Sequence, residues 1–224
     1  MDLESDRRPG YLGPGGLAEN GSNVNCTGGA AGYIDRLVLG SSHIYQRPTA
    51  ARLYGDLLPY DPEGILGSLM SILAVFFGLQ AGQVVLLYDC WKQRMSRFAV
   101  WSLFFGLLAA LLCAFSQNDG PIPINKNLWS LSFVCSLSCL ANLLIIIFYF
   151  LTDVKKWWAG EPFYFVGMNS IAMYMLHEVF SGQLFVGGWK TNTHGEQLLA
   201  NLWGTTFWVL VAYYMHYIEF YVTI

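Results

Sequence analysis

Residues 64–88 read GILGSLMSILAVFFGLQAGQVVLLY, without a single Asp, Glu, Lys or Arg. As a helix rising 1.5 Å per residue, such a stretch crosses about 30 Å of hydrocarbon. It shows no strict alternation of polar and apolar residues, so a helix is expected rather than a barrel strand. Four further windows have the same character, at about 98–115, 128–152, 163–185 and 199–221; Glu178 stands inside the fourth and Glu219 near the end of the fifth. The expected fold is all-α. It is a polytopic transmembrane bundle of about five spans over residues 63–224, preceded by an irregular segment over 1–62.

Composition supports this reading. Of 224 residues 54% are hydrophobic, 16% aromatic and 12% charged, against about 25% charged in soluble domains. A soluble core of this size cannot hide that much apolar side chain, and the surplus belongs in lipid. Eight of the fifteen acids and five of the twelve Lys and Arg residues lie within 1–63. The net charge of −3 is mild and no basic strip is present, so a nucleic-acid partner is not expected.

The short loops set an orientation. Lys92, Arg94 and Arg97 mark the loop 89–97, and Lys155 and Lys156 the loop 152–161; the alternate loops hold only Lys126 and Lys190. Positive residues favour the cytosolic side. Residues 1–62 are then expected in the lumen, where Asn20-Gly21-Ser22 and Asn25-Cys26-Thr27 are sequons predicting glycosylation at Asn20 and Asn25. Residues 1–8 contain no apolar signal core, so earlier spans are expected to deliver this segment. Cys26, the one luminal cysteine of this topology, is a candidate for a disulfide with a partner elsewhere, or a free thiol. Cys135 and Cys139 read as small buried hydrophobes.

Asp61-Pro62-Glu63 predicts the start of the first span, with an acid as N-cap and proline at the first helical position. Gly67, Ser71, Ala74, Gly78 and Gly82 then form a seam of small residues suited to close helix packing. Asn125 or Asn127 is expected to cap the third span. Asn127, Ser138 and Asn142 share one face there, either for hydrogen bonding between helices or for lining a ligand site. The fourth span carries Ser170, Tyr174, His177 and Ser181 at i, i+4, i+7 and i+11, flanked by Asn169 and Glu178. An acid inside a span costs up to about 2.5–3.5 kcal/mol, so this stripe is expected to face protein or water. It lines either a cavity or a packing network.

Topology brings Asp61, Glu63, Asn125, Lys126, Asn127, His177 and Glu178 toward the same, luminal half. Carboxylates, a histidine and amides at one depth suit binding a polar or cationic group and moving a proton. No P-loop, HExxH, Gly-Xaa-Ser-Xaa-Gly or zinc-type spacing competes, and no metal is expected.

Several long strings carry a resemblance. They are Gly10-Tyr11-Leu12-Gly13-Pro14-Gly15-Gly16, Asn25-Cys26-Thr27-Gly28-Gly29-Ala30-Ala31-Gly32-Tyr33-Ile34-Asp35-Arg36, Tyr60-Asp61-Pro62-Glu63-Gly64-Ile65-Leu66-Gly67, Asn125-Lys126-Asn127-Leu128-Trp129-Ser130-Leu131-Ser132 and Gly167-Met168-Asn169-Ser170-Ile171. With them the chain, from about residue 10 to 213, resembles the lysosomal heparan-alpha-glucosaminide N-acetyltransferase family. The resemblance implies a multi-pass enzyme of the lysosomal membrane, in contact with membrane lipid. Such an enzyme takes acetyl from cytosolic acetyl-CoA and delivers it to the terminal glucosamine amine of heparan sulfate. The chain looks like the C-terminal half, with five of about eleven spans. A missing N-terminal half is then the expected partner, and a homo-oligomer is compatible. The histidine usually assigned to catalysis in that family has no counterpart here. Residues 1–8 and the end from Tyr214, which lacks a basic tail, depart from the pattern.

Asn125, Asn127, Ser170 and Tyr174 are therefore candidate cavity donors for a developing oxyanion, and His177 and Glu178 candidate proton handlers or amine ligands. Asp61, Glu63, Lys126 and Asn169 are further candidate lining residues. Two other readings stand beside this one: a transporter-like module whose polar stripe lines a path, and a non-catalytic membrane fragment that assembles with a partner.

Overall fold

The computed structural model describes residues 10–48, 50–55, 58–117, 120–180 and 189–222. Among the described residues the secondary structure is helix and turn, with a single antiparallel bridge between Gly16 and Asn23 and no strand. The chain separates into two compact units, one ending at Tyr149 and the other beginning at Phe150.

In the first unit the N-terminal segment is folded, not merely extended. A tight turn at Ala18–Gly21 leads to α1 (Gly29–Leu39) and α2 (Ala51–Tyr54). Glycines let the segments of this knot approach one another. At Gly28, with φ of 73°, a β-carbon would stand 2.3 Å from the Tyr60 ring. The Arg36 side chain then straps the knot, donating to Thr27 O at 3.0 Å and Pro59 O at 3.1 Å.

Three long helices follow: α3 (Ile65–Leu87), α4 (Trp91–Leu112) and α5 (Leu131–Tyr149). The expected start of the first span is corrected. Asp61-Pro62-Glu63 is a turn, closed by Glu63 N–H donating to Asp61 Oδ1 at 3.0 Å, and the helix opens only at Ile65. Its first orphan donor is taken by Asp35 of α1, whose Oδ1 accepts from Ile65 N–H at 2.9 Å. A residue thirty positions upstream caps the helix. The start of the third span is corrected as well. Asn125 Oδ1 accepts from the N–H groups of Asn127 and Leu128, closing a turn ahead of the helix. Ser130 Oγ meets the Phe133 N–H at 3.3 Å and donates to Pro123 O at 2.7 Å.

The second helix begins at Trp91, seven residues before the predicted 98. Its early basic residues are accommodated at the helix end by aromatic partners. The Arg97 guanidinium lies 3.8 Å from the centroid of the Tyr88 ring. Arg94 donates to Tyr88 O and, at 3.0 Å, to the Tyr149 hydroxyl. Further along, α4 and α5 cross closely at small residues. Ser102 Oγ donates to Cys139 O at 3.1 Å, and a β-carbon on Gly106 would lie 3.1 Å from Cys139 Sγ. Phe105, Ala109 and the fully buried Cys135 form the core there, with the Phe77 ring of α3 tilted against Phe105 at 4.5 Å between centroids. Cys135 is thus a small packing residue.

The second unit starts with a π-helical turn over Phe150–Val154 and contains α6 (Phe163–Met168), α7 (Ser170–Val179) and α8 (His194–Tyr217). Thr193 and Glu196 form a capping box at the start of α8. Phe165, Met173, Ala212 and Met215 make its core.

Four helices among the described residues are long and apolar enough to cross a membrane: Ile65–Leu87, Trp91–Leu112, Leu131–Val154 and His194–Tyr217. The window 163–185 is not one helix. It breaks at Asn169, where φ is −125° and ψ is 35°, and residues 181–185 lie outside the described part. The break has a physical cause: Asn169 spends its carboxamide on the C-terminal segment, donating from Nδ2 to Phe220 O and accepting at Oδ1 from Val222 N–H, both at 3.0 Å. The chain is an all-α polytopic membrane protein. Its long helices leave large side chains outward, such as Ile72 and Val75 of α3 at 66% and 74% exposure. That much apolar surface requires lipid or other helices, not water.

Candidate functional site

The predicted residues fall into two groups, one in each unit. The first gathers at the start of α3 and the loop before α5. Tyr60, 3% exposed, donates its hydroxyl to Asn127 O at 2.9 Å, and Asn125 Nδ2 donates to the Tyr54 hydroxyl at 3.0 Å. The N-terminal knot therefore holds the 125–130 loop against the entry of α3. Asn125 has its carbonyl and one amide proton engaged and is itself buried, so it builds the site. Asp61 and Asn127 are half-buried at the rim, and Glu63 and Lys126 are exposed. These four supply both signs of charge and an amide over an ordered floor, suited to binding a polar group.

Asp35 lies beneath this floor at 1% exposure. Burial pushes its carboxyl above the usual carboxylate range; the Ile65 N–H opposes that, Asp61 adds to it and Arg36 works against it. Gly64 is fixed by the same contact. A β-carbon there would fall 1.9 Å from Asp35 Oδ2. The sequence reading missed Asp35 and Tyr60 because both are recognised by long-range partners that no local spacing reveals.

The second group is the stripe on α7. Ser170, Tyr174, His177 and Glu178 all lie exposed on their own unit, with His177 Nδ1 3.9 Å from Glu178 Oε1. The His177 ring is 6.1 Å from that of Trp208 on α8, whose buried Nε1 has no hydrogen-bond partner among the described residues. Asn169 is the exception to the exposed stripe, being fully buried on the C-terminal segment. Ser181 lies outside the described residues. An exposed imidazole beside a carboxylate can take and return a proton and attract an ammonium group.

Of the remaining predicted positions, Asn20 is exposed, Asn25 is half-buried and Thr27, the third residue of its sequon, is fully buried. Cys26 is a buried free thiol. No cluster of His, Cys, Asp or Glu among the described residues could hold a metal ion.

A third place was only half visible in the sequence. Between α3, α4 and α5 lies a cavity of about 250 Å³ lined by Phe77, Gln80, Ala81, Trp101, Phe105 and Asn142, among others. Asn142 was singled out by its helix face. It hydrogen-bonds within its own helix, from Nδ2 to Ser138 O at 2.7 Å, while Ser138 Oγ bonds Val134 O, so neither bridges helices.

No family model matches the chain. The mouse and human heparan-alpha-glucosaminide N-acetyltransferases are each 48% identical to it over 211 residues, 92% of this chain and 32% of theirs. The chain spans about a third of the length of these curated relatives. Over nearly all of its own residues, then, it is a homologue of part of heparan-alpha-glucosaminide N-acetyltransferase.

Proposed function

We propose that this chain is part of a membrane acetyltransferase that moves acetyl from cytosolic acetyl-CoA to the terminal glucosamine amine of heparan sulfate in the lysosomal lumen. The observation that carries the reading is the 48% identity over 92% of the chain to enzymes of that name. Orientation follows the loop charges, with 89–97 and 152–161 cytosolic and the N-terminal knot, glycosylated at its sequons, luminal. The relatives' remaining two thirds are the natural partner.

Acetyl-CoA supplies an activated thioester. In this reading the chain's own residues handle the acceptor. Asp61, Glu63 and Asn127 hold the sugar's ammonium and hydroxyl groups at the rim formed by α3 and the loop before α5. On the second unit, taken by itself, His177 with Glu178 beside it is suited to handling a proton or attracting an ammonium group, and Ser170 and Tyr174 are suited to donating hydrogen bonds to a developing oxyanion. On their own units these groups are exposed or half-buried, which supports a site completed by further spans. In the isolated second unit the stripe is exposed, and water there removes the benefit of preorganised dipoles. The resemblance leaves the family's assigned catalytic histidine without a counterpart here. Both points lead to a chain that is inactive alone.

A chimaera tests the reading. Replacing the homologous 211 residues of the mouse enzyme by this chain should retain acetyl transfer to glucosamine well above background membranes. In that chimaera His177→Ala should lower kcat by about 10²-fold or more, the contribution typical of a positioned acid–base group. A chimaera that reaches the membrane and binds acetyl-CoA but transfers nothing would count against the assignment.

A further inference from the structure

The cavity between α3, α4 and α5 has features that helix packing does not use. Its walls are aromatic, yet Gln80 and Asn142 enter it from two different helices. Asn142 is 7% exposed and gives Nδ2 to its own helix; Gln80 makes no hydrogen bond to another described residue. A carboxamide inside a span without a partner is costly, so a ligand bearing its own amides would complete it. The volume, about 250 Å³, falls below that of drug-sized sites and suits a slender chain.

The cavity's position adds a second clue. Gln80 and Asn142 each stand seven residues before the ends of α3 and α5, at Leu87 and Tyr149. At 1.5 Å per residue that is about 10 Å from the helix ends. The same end carries Lys92, Arg94 and Arg97, together with the acids Asp89 and Asp153. Arg94 and Arg97 are held there by Tyr149 and Tyr88. Basic residues at the helix ends, with an amide-lined aromatic slot about 10 Å further in, match a molecule with phosphates at one end and an uncharged amide-bearing arm. A plain acyl chain would leave the carboxamides unmatched, and a nucleotide has no counter-charge among the lining residues.

We propose that this cavity holds the two-amide arm of an acyl thioester of the coenzyme A type, with its phosphates toward Lys92, Arg94 and Arg97. The proposal rests on the acetyl-transfer reading and places its donor. The arm's amides pair with Gln80 and Asn142, and the aromatic rings exclude water from the chain between them.

The test uses the full chain in lipid vesicles carrying Ala81→Cys, modified with N-ethylmaleimide and read at position 81 by peptide mass. A second variant, Gly82→Cys, sits where nothing lies within 4 Å of a β-carbon, and serves as the control. Acetyl-CoA at ten times its Kd should slow modification at position 81 about tenfold by mass action and leave position 82 unchanged. Adenosine 3′,5′-bisphosphate, which lacks the arm, should protect neither. Gln80→Leu, an apolar change suited to a membrane span, should abolish the protection. Equal modification at both positions while labelled acetyl-CoA is bound would overturn this site and leave the transferase reading intact. Protection by a long-chain fatty acid instead would make the cavity a lipid site and overturn it too. A chain that retains no acetyl-CoA would remove both.

Discussion

Asp35 joins the N-terminal knot to the first long helix through one carboxylate oxygen on the Ile65 N–H. Removing it by Asp35→Ala should lower stability by about 1–2 kcal/mol, the usual loss for a helix cap, with the knot and α3 separating first. The pH dependence has a definite sign. Burial raises the folded-state carboxyl above its unfolded value, so the folded form holds this proton more tightly. The stabilisation is full below the ordinary aspartate range and is lost as pH rises through the folded value. Melting temperatures measured in detergent should therefore fall between acidic and neutral pH, and Asp35→Asn should flatten that fall. A variant whose profile matches the parent would remove Asp35 from the account. The direction suits an acidic compartment.

At the scale of elements, the break at Asn169 separates what periodicity can show from what it cannot. The four long apolar helices are legible because hydrocarbon imposes a length and excludes charge, and both constraints are local. The window 163–185 satisfied the same constraints, yet it divides into α6 and α7 because one carboxamide finds Phe220 and Val222 some fifty residues later. The true starts of α3 and α5 were hidden for a similar reason. Asp61 and Asn125 have the side chains of caps, but each closes a turn, and the caps come from Asp35 and Ser130. Asn169→Ala removes two hydrogen bonds from a buried position and should cost about 1–3 kcal/mol. Proteolysis near residue 220 should accelerate in step with that loss. An unchanged cleavage rate would show that the C-terminal segment is held by other contacts.

For the whole molecule, orientation decides which face meets which substrate. In the proposed orientation, argued from loop charge and the sequons, the N-terminal knot and Lys190 lie on the luminal side. A cysteine introduced by Lys190→Cys should resist a membrane-impermeant maleimide applied from the cytosol and react once the membrane is permeabilised. Reaction from the cytosol in sealed vesicles would invert the topology and with it the assignment of donor and acceptor faces. The grouping of Asp61, Glu63 and Asn127 at one rim was legible from span direction alone. The engaged state of Asn125 was not, because it depends on Tyr54, seventy-one residues away.

The central claim is that this chain supplies part of an acetyltransferase whose active site it does not complete by itself. Its most direct test is transfer of labelled acetyl from acetyl-CoA to glucosamine in membranes holding the chain alone, and again with the remaining two thirds of the mouse relative co-expressed. The account predicts no turnover above background in the first case and restored transfer in the second, since independently inserted helices can still associate. Turnover above background by the chain alone would contradict it and place a complete active site within these 224 residues.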